Sequence, residues 1–275
     1  MELDIGQAID LSEIAGFPLF FNPETLDVTS DDSLRFETTT RRVVDLSEVL
    51  QSPDELSANK ILYYTLETLP VDPEVRSVLD RSSLIYGLVL LPALTIGREY
   101  VKTHGHYHPP VPGGRHEFPE VYTQLYGKLL LLLQKRRESD PDQLEDCAIA
   151  VMTPGYKITI PPGYAHVLIN PTHEPALMAG LYGRNFKPDY APVRSRHGLA
   201  YFVLDQDGSM QIQKNQNYSL APELRWLVSL DGTPFEPPDP GLPMWSAYFA
   251  NPDKYTFLTE PEAVLAKFGG YEGGT

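Results

Sequence analysis

The sequence is poor in cysteine and in positive charge. Its 275 residues include a single cysteine, Cys147, so no disulfide can form within the chain. We therefore expect a reducing compartment and interpret Cys147 as a small buried residue. Its 22 Lys and Arg residues are outnumbered by 37 Asp and Glu residues, which gives a net charge of −15. This excess of negative charge argues against nucleic acids and anionic membrane surfaces as partners.

The sequence also lacks a long apolar segment. Its longest leucine run, residues 129–133, lies between Lys128 and Lys135 and predicts a buried strand rather than a membrane span. The first residues, MELDIGQAIDLSEIAG, have neither the basic start nor the apolar core of a signal peptide. We expect a soluble, cytoplasmic protein.

Short strand-like runs dominate the chain from residue 84 onward. They are rich in Val, Ile, Tyr and Leu, and Gly, Pro and Asp-Gly steps separate them. This spacing predicts an antiparallel sandwich or barrel over residues 80–216. We expect a hairpin within it, with Asp207 and Gly208 at the turn.

The residues on either side of the predicted barrel have a different composition. Residues 1–79 predict a strand that runs into a helix with Asp45 or Ser47 near its start, and a second helix that begins near Pro73. We expect this extension to pack on the barrel, where it covers a sheet edge or forms an oligomer interface. Residues 217–275 are rich in proline and predict an extended arm with a short terminal helix near Pro261.

Four residues in the predicted barrel are candidate metal ligands, namely His106, His108, Glu120 and His166. The segment THGHYH places His106 and His108 at alternate positions, so in a strand their imidazoles point to one face. Three imidazoles and a carboxylate form a mixed site that suits divalent Fe, Mn, Ni or Zn. A lone histidine on an apolar face is more often structural, so the prediction depends on the surrounding pattern.

The pattern around these four residues resembles the two sequence motifs of the cupin superfamily. Six residues separate Glu120 from Gly127, as in the first motif. The second motif is matched by Gly155, Pro161, Gly163, His166 and Asn170. The resemblance implies an all-β fold, the cupin double-stranded β-helix or jelly-roll barrel, with N-terminal and C-terminal extensions that carry short helices. It also implies that His104 is a neighbour of the ligands rather than one of them.

Two positions depart from the cupin pattern. Tyr100 stands where the first motif usually has glycine. The segment from His108 to Glu120 is longer than usual, which leaves Glu117 as a competing carboxylate. We prefer Glu120 because its spacing to Gly127 is that of the motif.

Longer segments are closely similar to the cupin-type phosphoglucose isomerases of archaea and some bacteria. These segments are GREYVKTHGHYHP, PEVYTQLYGKLLLLLQK, IPPGYAHVLIN and EPALMAGLYG. The resemblance spans residues 86–190 and implies an enzyme of glycolysis and gluconeogenesis that interconverts glucose 6-phosphate and fructose 6-phosphate. It implies a cytoplasmic homodimer with one divalent metal per chain. Fe²⁺ is the expected ion, with Mn²⁺, Ni²⁺ or Zn²⁺ as alternatives.

The resemblance also assigns roles to residues near the ligands. Thr103 and Gly105 would help bind the sugar phosphate, and Tyr122, Tyr182 and Tyr190 would line the pocket. Glu120 would be catalytic as well as a ligand if the reaction passes a proton through a cis-enediol. In a metal-assisted hydride shift, Glu120 would be a ligand only.

One position departs from the isomerase pattern. Pro188 stands where hyperthermophilic members have a histidine, two residues before the tyrosine that matches Tyr190. Arg194 and His197 follow closely and are candidates for substitute polar contacts.

Two other functions share the ligand set or the fold. Fe(II) dioxygenases also use histidines and a carboxylate with open positions, and some cupins bind sugars without catalysis. The resemblance also leaves mannose 6-phosphate open as a substrate.

Overall fold

A computed structural model gives the fold of residues 8–137, 139–185, 187–227 and 236–262. The strands are β1 (Ile9–Asp10), β2 (Phe20–Asn22), β3 (Asp27–Thr29), β4 (Leu34–Arg42), β5 (Ile61–Pro70), β6 (Leu84–Leu91), β7 (Thr95–Ile96), β8 (Glu99–Tyr100), β9 (Glu120–Tyr126), β10 (Leu129–Arg137), β11 (Asp140–Met152), β12 (Lys157–Ile160), β13 (Tyr164–Ile169), β14 (Ala176–Gly183), β15 (Tyr201–Gln206), β16 (Ser209–Lys214) and β17 (Arg225–Leu227). The α-helices are α1 (Ser12–Ala15), α2 (Val43–Leu46), α3 (Pro73–Ser82), α4 (Ala191–Ser195) and α5 (Met244–Ala250). Short 3₁₀ helices cover Ser47–Val49, Pro53–Glu55 and Pro252–Leu258.

Two sheets form the barrel. One has the strand order β12-β9-β14-β6-β5-β4, and the other has the order β13-β10-β11-β17. Successive strands such as β9 and β10 lie in different sheets, so the chain crosses from one sheet to the other, as in a jelly roll. A third sheet, β16-β15-β8-β7, lies beside them. The predicted all-β jelly-roll barrel is therefore confirmed.

The leucine run forms the first half of β10 and is at most 2% exposed at every position. β10 pairs with β11 on one side and β13 on the other. A continuous apolar run fits a strand that is covered on both faces. Gly127 makes the turn that leads into it, with φ of 69°. A Cβ at Gly127 would lie 2.5 Å from the carbonyl oxygen of Pro175, so only glycine fits there.

The N-terminal strands β4 and β5 extend the six-stranded sheet, because β5 pairs directly with β6. They cover the edge that β6 would otherwise expose. β4 runs into α2, where the Asp45 carboxylate accepts a hydrogen bond of 2.7 Å from the Arg42 amide. α3 begins at Pro73, and the Asp72 carboxylate caps it by accepting a 2.7 Å bond from the Glu74 amide.

The C-terminal segment differs in part from the predicted extended arm, because residues Met244–Ala250 form α5. Trp245 in this helix packs its ring 4.9 Å from Phe17 and 5.0 Å from Tyr86, which fixes the helix against the six-stranded sheet. Most of the terminal helix predicted near Pro261 lies outside the described residues. Within the described residues, we find no helix with the length and apolar character that a membrane crossing requires.

The predicted hairpin is present as β15 and β16. Its two turn residues have positive φ angles, 53° at Asp207 and 82° at Gly208. Positive φ at both positions is what a two-residue hairpin turn requires, and the Asp-Gly pair accommodates it.

Candidate metal centre

The four predicted ligands converge in the structure. One ligand atom from each of His106, His108, Glu120 and His166 lies within 4.8 Å of the others. The Glu120 Oε2 atom is 3.4 Å from Nε2 of His108 and 3.6 Å from Nε2 of His166. Three of these residues are buried and His106 is half-buried. Glu117, the competing carboxylate, pairs with Pro110 and is not part of the cluster.

The backbone explains why the histidines meet. His106 and His166 exchange backbone hydrogen bonds of 3.4 and 3.2 Å, which places the segment with His106 and His108 alongside β13. Tyr107, between the two histidines, points the other way, and its hydroxyl accepts a 2.9 Å bond from the Gln134 amide nitrogen. The alternation predicted for this segment is therefore confirmed. Glu120 begins β9, in the opposite sheet.

The electrostatics favour neutral imidazoles. Burial lowers the pKa of His106 and of His166 well below the usual value, and the neighbouring imidazoles lower it further. A neutral imidazole keeps a lone pair that a metal can accept. His108 places its Nδ1 atom 2.6 Å from the carbonyl oxygen of Phe118. If Nδ1 donates its proton there, Nε2 faces Glu120 with a lone pair, the arrangement typical of metal-ligating histidines.

The donor set therefore fits a divalent metal. Three imidazole nitrogens and one carboxylate oxygen within 4.8 Å of each other match the ligand types of Fe, Mn, Ni and Zn. The single negative charge of the carboxylate also leaves a bound divalent ion with net positive charge. Such a site attracts oxygen atoms of a substrate.

Tyr122 adds a hydroxyl to the centre. Its hydroxyl oxygen is 2.8 Å from Nε2 of His166. Burial raises the pKa of Tyr122 well above the usual value, and the nearby charge of Glu120 raises it further. The hydroxyl therefore stays protonated and is a hydrogen-bond donor beside the carboxylate.

A cavity of about 170 Å³ opens beside Glu120. Its wall combines residues from five strands, namely Glu37, Thr39, Thr65, Leu66, Glu67, Gly87, Leu88, Val89, Glu120, Tyr122, Gly180 and Tyr182. Two glycines leave room for the polar groups. A Cβ at Gly87 would lie 3.1 Å from the Tyr182 hydroxyl, and one at Gly180 would lie 3.0 Å from Glu120 Oε1. The structure thus places Tyr122 and Tyr182 in one pocket with Glu120.

The structure places Thr103 and Gly105 against the neighbouring strand. The Thr103 hydroxyl accepts a 3.0 Å hydrogen bond from the Leu168 amide. Gly105 has a φ of 76°, and a Cβ there would lie 2.8 Å from Leu199. Any contact of these residues with a ligand therefore uses the hydroxyl hydrogen of Thr103 and the backbone of Gly105.

Tyr190 lies next to the histidines. Its ring centroid is 4.4 Å from that of His104 and 5.6 Å from that of His106. Pro188 precedes it, next to Asp189, whose backbone pairs with Tyr107. The position of the missing histidine is therefore close to the segment that carries His106 and His108.

The two candidates for substitute contacts differ in their surroundings. The Nε atom of Arg194 is 3.5 Å from Nε2 of His104. His197 is exposed, and its Nδ1 atom lies 3.1 Å from the carbonyl oxygen of Glu48. Arg194 is therefore the one with a contact beside the centre.

Sequence analysis missed the polar residues that β4 and β5 contribute, including Arg41. Burial lowers the pKa of His104 to about 4, with further contributions from the positive charges of Arg194, Lys102 and Arg41. The run of polar residues TTTRR was the available signal, because a strand face made of polar residues is typical of a wet cavity wall or of solvent. Nothing in the sequence alone favoured the cavity over solvent.

Comparison with known proteins identifies relatives of this chain. A family model described as glucose-6-phosphate isomerase matches residues 40–220. A glucose-6-phosphate isomerase of Thermococcus gammatolerans is 30% identical over 125 residues, which are 46% of this chain and 59% of that protein. One of Thermococcus kodakarensis is 25% identical over 158 residues, which are 55% of this chain and 77% of that protein. The chain spans less than two thirds of the length of the first of these relatives.

Solved structures are more distant. An oxalate oxidase in complex with the substrate analogue glycolate is 13% identical, with a TM-score of 0.32 over 60% of this chain and 58% of that chain. A likeness at this level does not indicate a shared ligand or reaction.

Proposed function

Since the chain belongs to the glucose-6-phosphate isomerase family, we propose that it is a metal-dependent aldose–ketose isomerase that interconverts glucose 6-phosphate and fructose 6-phosphate. The observation that carries the proposal is the cluster of His106, His108, Glu120 and His166 beside a polar cavity. The cavity presents carboxylates, hydroxyls and phenols, which are suited to the hydroxyl groups of a sugar.

One divalent first-row metal would be held by the three histidines and Glu120. Fe²⁺ is the ion we propose first, with Mn²⁺, Ni²⁺ or Zn²⁺ as alternatives. When bound, the metal supplies Lewis-acid chemistry, which polarises the carbonyl and hydroxyl oxygens at C1 and C2 of the open-chain sugar.

Glu120 is the residue that would move the proton. In the direction from aldose to ketose, its carboxylate takes the proton from C2 and returns it to C1, while the proton on O2 passes to O1. The protonated hydroxyl of Tyr122, which the charge of Glu120 helps keep neutral, can donate a hydrogen bond to the oxygens that exchange this proton. In the alternative hydride shift, the hydrogen passes directly from C2 to C1 and Glu120 only binds the metal.

Solvent deuterium distinguishes the two routes. Turnover in deuterated water should place deuterium at C2 of glucose 6-phosphate if Glu120 carries the proton, because a carboxylate exchanges with solvent. A product free of deuterium after many turnovers would point to the hydride shift.

Five residues would contact the substrate. Tyr122 and Tyr182 line the cavity with Glu120, and Tyr190 lies against the histidines. Thr103 and Gly105 lie on the same segment as the ligands, where the remaining hydroxyl hydrogen and the backbone amide can bind an anion. Mannose 6-phosphate is a second substrate to test, because the same contacts do not select the configuration at C2.

The setting follows from the proposed reaction, which is a step of glycolysis and gluconeogenesis in the cytoplasm. The resemblance to archaeal-type isomerases supports a homodimer. Light scattering coupled to size-exclusion chromatography would report twice the chain mass of 30.8 kDa.

The first experiment is a coupled assay that forms glucose 6-phosphate from fructose 6-phosphate. We expect the chelated protein to lose activity and to regain it with Fe²⁺, Mn²⁺ or Ni²⁺. Activity that a chelator leaves unchanged would refute the metal requirement. Oxygen uptake in place of isomerisation, with each metal supplied, would favour a dioxygenase.

A further inference from the structure

One face of strands β4 and β5 lines the cavity, and along this face the side chains change from negatively charged to positively charged. Their facing residues repeat every second position, about 7 Å apart along the strand. The direct pairs, from one end to the other, are Glu37 with Glu67, Thr39 with Thr65, and Arg41 with Tyr63. The row therefore begins with two carboxylates and ends with a guanidinium.

The carboxylate end lines the cavity beside Glu120. Glu37, Glu67 and both threonines belong to its wall, and the two threonine hydroxyls are 2.6 Å apart. A phosphate group at this end would face two carboxylates in addition to the net negative charge of the chain. The cavity end therefore suits sugar hydroxyls, which can donate hydrogen bonds to carboxylates.

The opposite end of the row lies near a second arginine. Arg41 interacts with the Tyr63 hydroxyl and lies close enough to His104 and Tyr190 for its charge to act on both. Arg194, on α4, is 3.5 Å from His104 through its Nε atom, and its guanidinium carbon is 5.5 Å from the Tyr190 ring centroid. His104 and Tyr190 are thus each near both arginines, which are 153 positions apart in the sequence.

We propose that Arg41 and Arg194 form an anion subsite beside the metal centre, which binds the phosphate group of the substrate. The identity of this anion rests on the proposed function. Two planar guanidinium groups can each give paired hydrogen bonds to phosphate oxygens, which a lysine ammonium cannot. Tyr190 connects the subsite to the ligands, because its ring also contacts that of His106.

Other cations near the centre are engaged elsewhere. Lys102 is 6% exposed, donates a 2.7 Å hydrogen bond to the Val49 carbonyl and forms an ion pair with Glu99. Arg98 is exposed and bonds to the Asp205 carbonyl on the outer hairpin. These contacts make Lys102 structural and leave Arg98 as a control outside the site.

Glu48 and Asp45 are acidic neighbours of the proposed subsite, and the charge of Asp45 acts on both Arg41 and His104. Glu48 is the one paired with Arg194. Its carboxylate is 3.5 Å from Arg194, and its side chain is 65% exposed. An exposed ion pair of this kind contributes little. A bound phosphate can therefore replace Glu48 as the partner of Arg194 at small cost.

The test measures inorganic phosphate binding by calorimetry, using the full chain as purified and the variants Arg41→Gln and Arg194→Gln. We expect each variant to raise the Kd for phosphate by roughly tenfold or more, because a charge-assisted hydrogen bond is lost. Arg98→Gln is the matched control and should bind like the wild type. The metal centre is common to all of these proteins, so phosphate bound to the metal itself would not differ among them. Equal phosphate affinity in all proteins, or none in the wild type, would overturn the subsite.

Isomerase assays on the same proteins separate the two proposals. We expect KM for fructose 6-phosphate to rise in both variants, while KM for fructose, if it is a substrate, stays unchanged. Arg194→Lys keeps the charge and should recover part of the loss, which a folding defect would not do. Phosphate binding that depends on the arginines, in a protein without isomerase activity, would keep the subsite and refute the proposed function. Isomerase activity with an unchanged KM for fructose 6-phosphate in both variants would keep the proposed function and refute the subsite.

Discussion

Gly180 has no side chain, so the Glu120 carboxylate and the Tyr122 ring can lie close to its backbone. A Cβ at this position would be 3.0 Å from Glu120 Oε1 and 3.1 Å from Cε1 of Tyr122, so these groups would have to shift by a few tenths of an ångström. We expect Gly180→Ala to weaken metal binding by roughly tenfold, because the ligand carboxylate loses its position. Titration with Mn²⁺ measures this change.

Gly241→Ala is the matched control for this substitution. It adds the same methyl group at a glycine where a Cβ would meet no heavy atom within 4 Å. Its metal affinity should equal that of the wild type. Wild-type affinity in Gly180→Ala as well would show that Glu120 does not depend on the free space beside it.

The ligands could be predicted from the sequence because their signals are local. His106 and His108 alternate along one segment, and the spacing from Glu120 to Gly127 marks the start and the end of β9. The positive φ at Gly127 can be recognised in the sequence, because residues other than glycine are strained there.

No comparable local signal in the sequence identifies Arg41. It reaches the centre through the pairing of β4 with β5 and of β5 with β6, which brings together residues far apart in sequence. An arginine at the end of a polar strand looks the same whether it faces solvent or a ligand. Helix α5 was missed for a related reason, because the prolines around it predict extended chain, whereas Trp245 stabilises the helix through tertiary contacts.

An ion pair joins the short edge strand β17 to its neighbour β11. Arg225 donates hydrogen bonds of 2.8 and 2.6 Å to the two carboxylate oxygens of Asp146 on β11, and the Tyr164 hydroxyl donates one of 2.7 Å. Burial raises the pKa of Asp146, but the bonds from Arg225 and Tyr164 outweigh it, and the net pKa lies below 3.8. The pair therefore stabilises the fold fully above about pH 5, and this contribution is lost as the pH falls through the lowered pKa.

Asp146→Asn should lower the free energy of unfolding by about 1 kcal/mol at neutral pH, because the paired geometry is good but Arg225 is partly exposed. The difference from the wild type should shrink near pH 3, where the wild-type carboxyl begins to lose its charge as well. Urea unfolding at both pH values measures it. Asp207→Asn, at the exposed hairpin turn, is the control and should have little effect. A difference that is the same at both pH values would assign the effect to packing instead of charge.

The molecule as a whole carries a net charge of −15, whereas the proposed anion subsite is cationic. A strongly negative protein repels a sugar phosphate at long range, and salt screens this repulsion over about 10 Å at 0.1 M. Local guanidinium groups must therefore outweigh the global field near the metal centre. Because the rest of the protein is so negative, the position of these two arginines strongly affects the binding of the substrate's phosphate group in the proposed reaction.

Metal binding should also be visible in the stability of the whole chain. The four ligands come from three separate segments, so the folded chain alone brings them together, and a metal that binds it stabilises it by about 2.7 kcal/mol at 100 times Kd. For a chain of this size we expect Mn²⁺ to raise Tm by roughly 5 to 10 °C. His106→Ala and Glu120→Gln should each remove most of the shift, whereas His173→Ala, an exposed histidine outside the cluster, should keep it. Comparing the shifts within each variant cancels any change that the substitution itself makes to Tm. A shift of wild-type size in both ligand variants would place the bound metal somewhere other than this cluster.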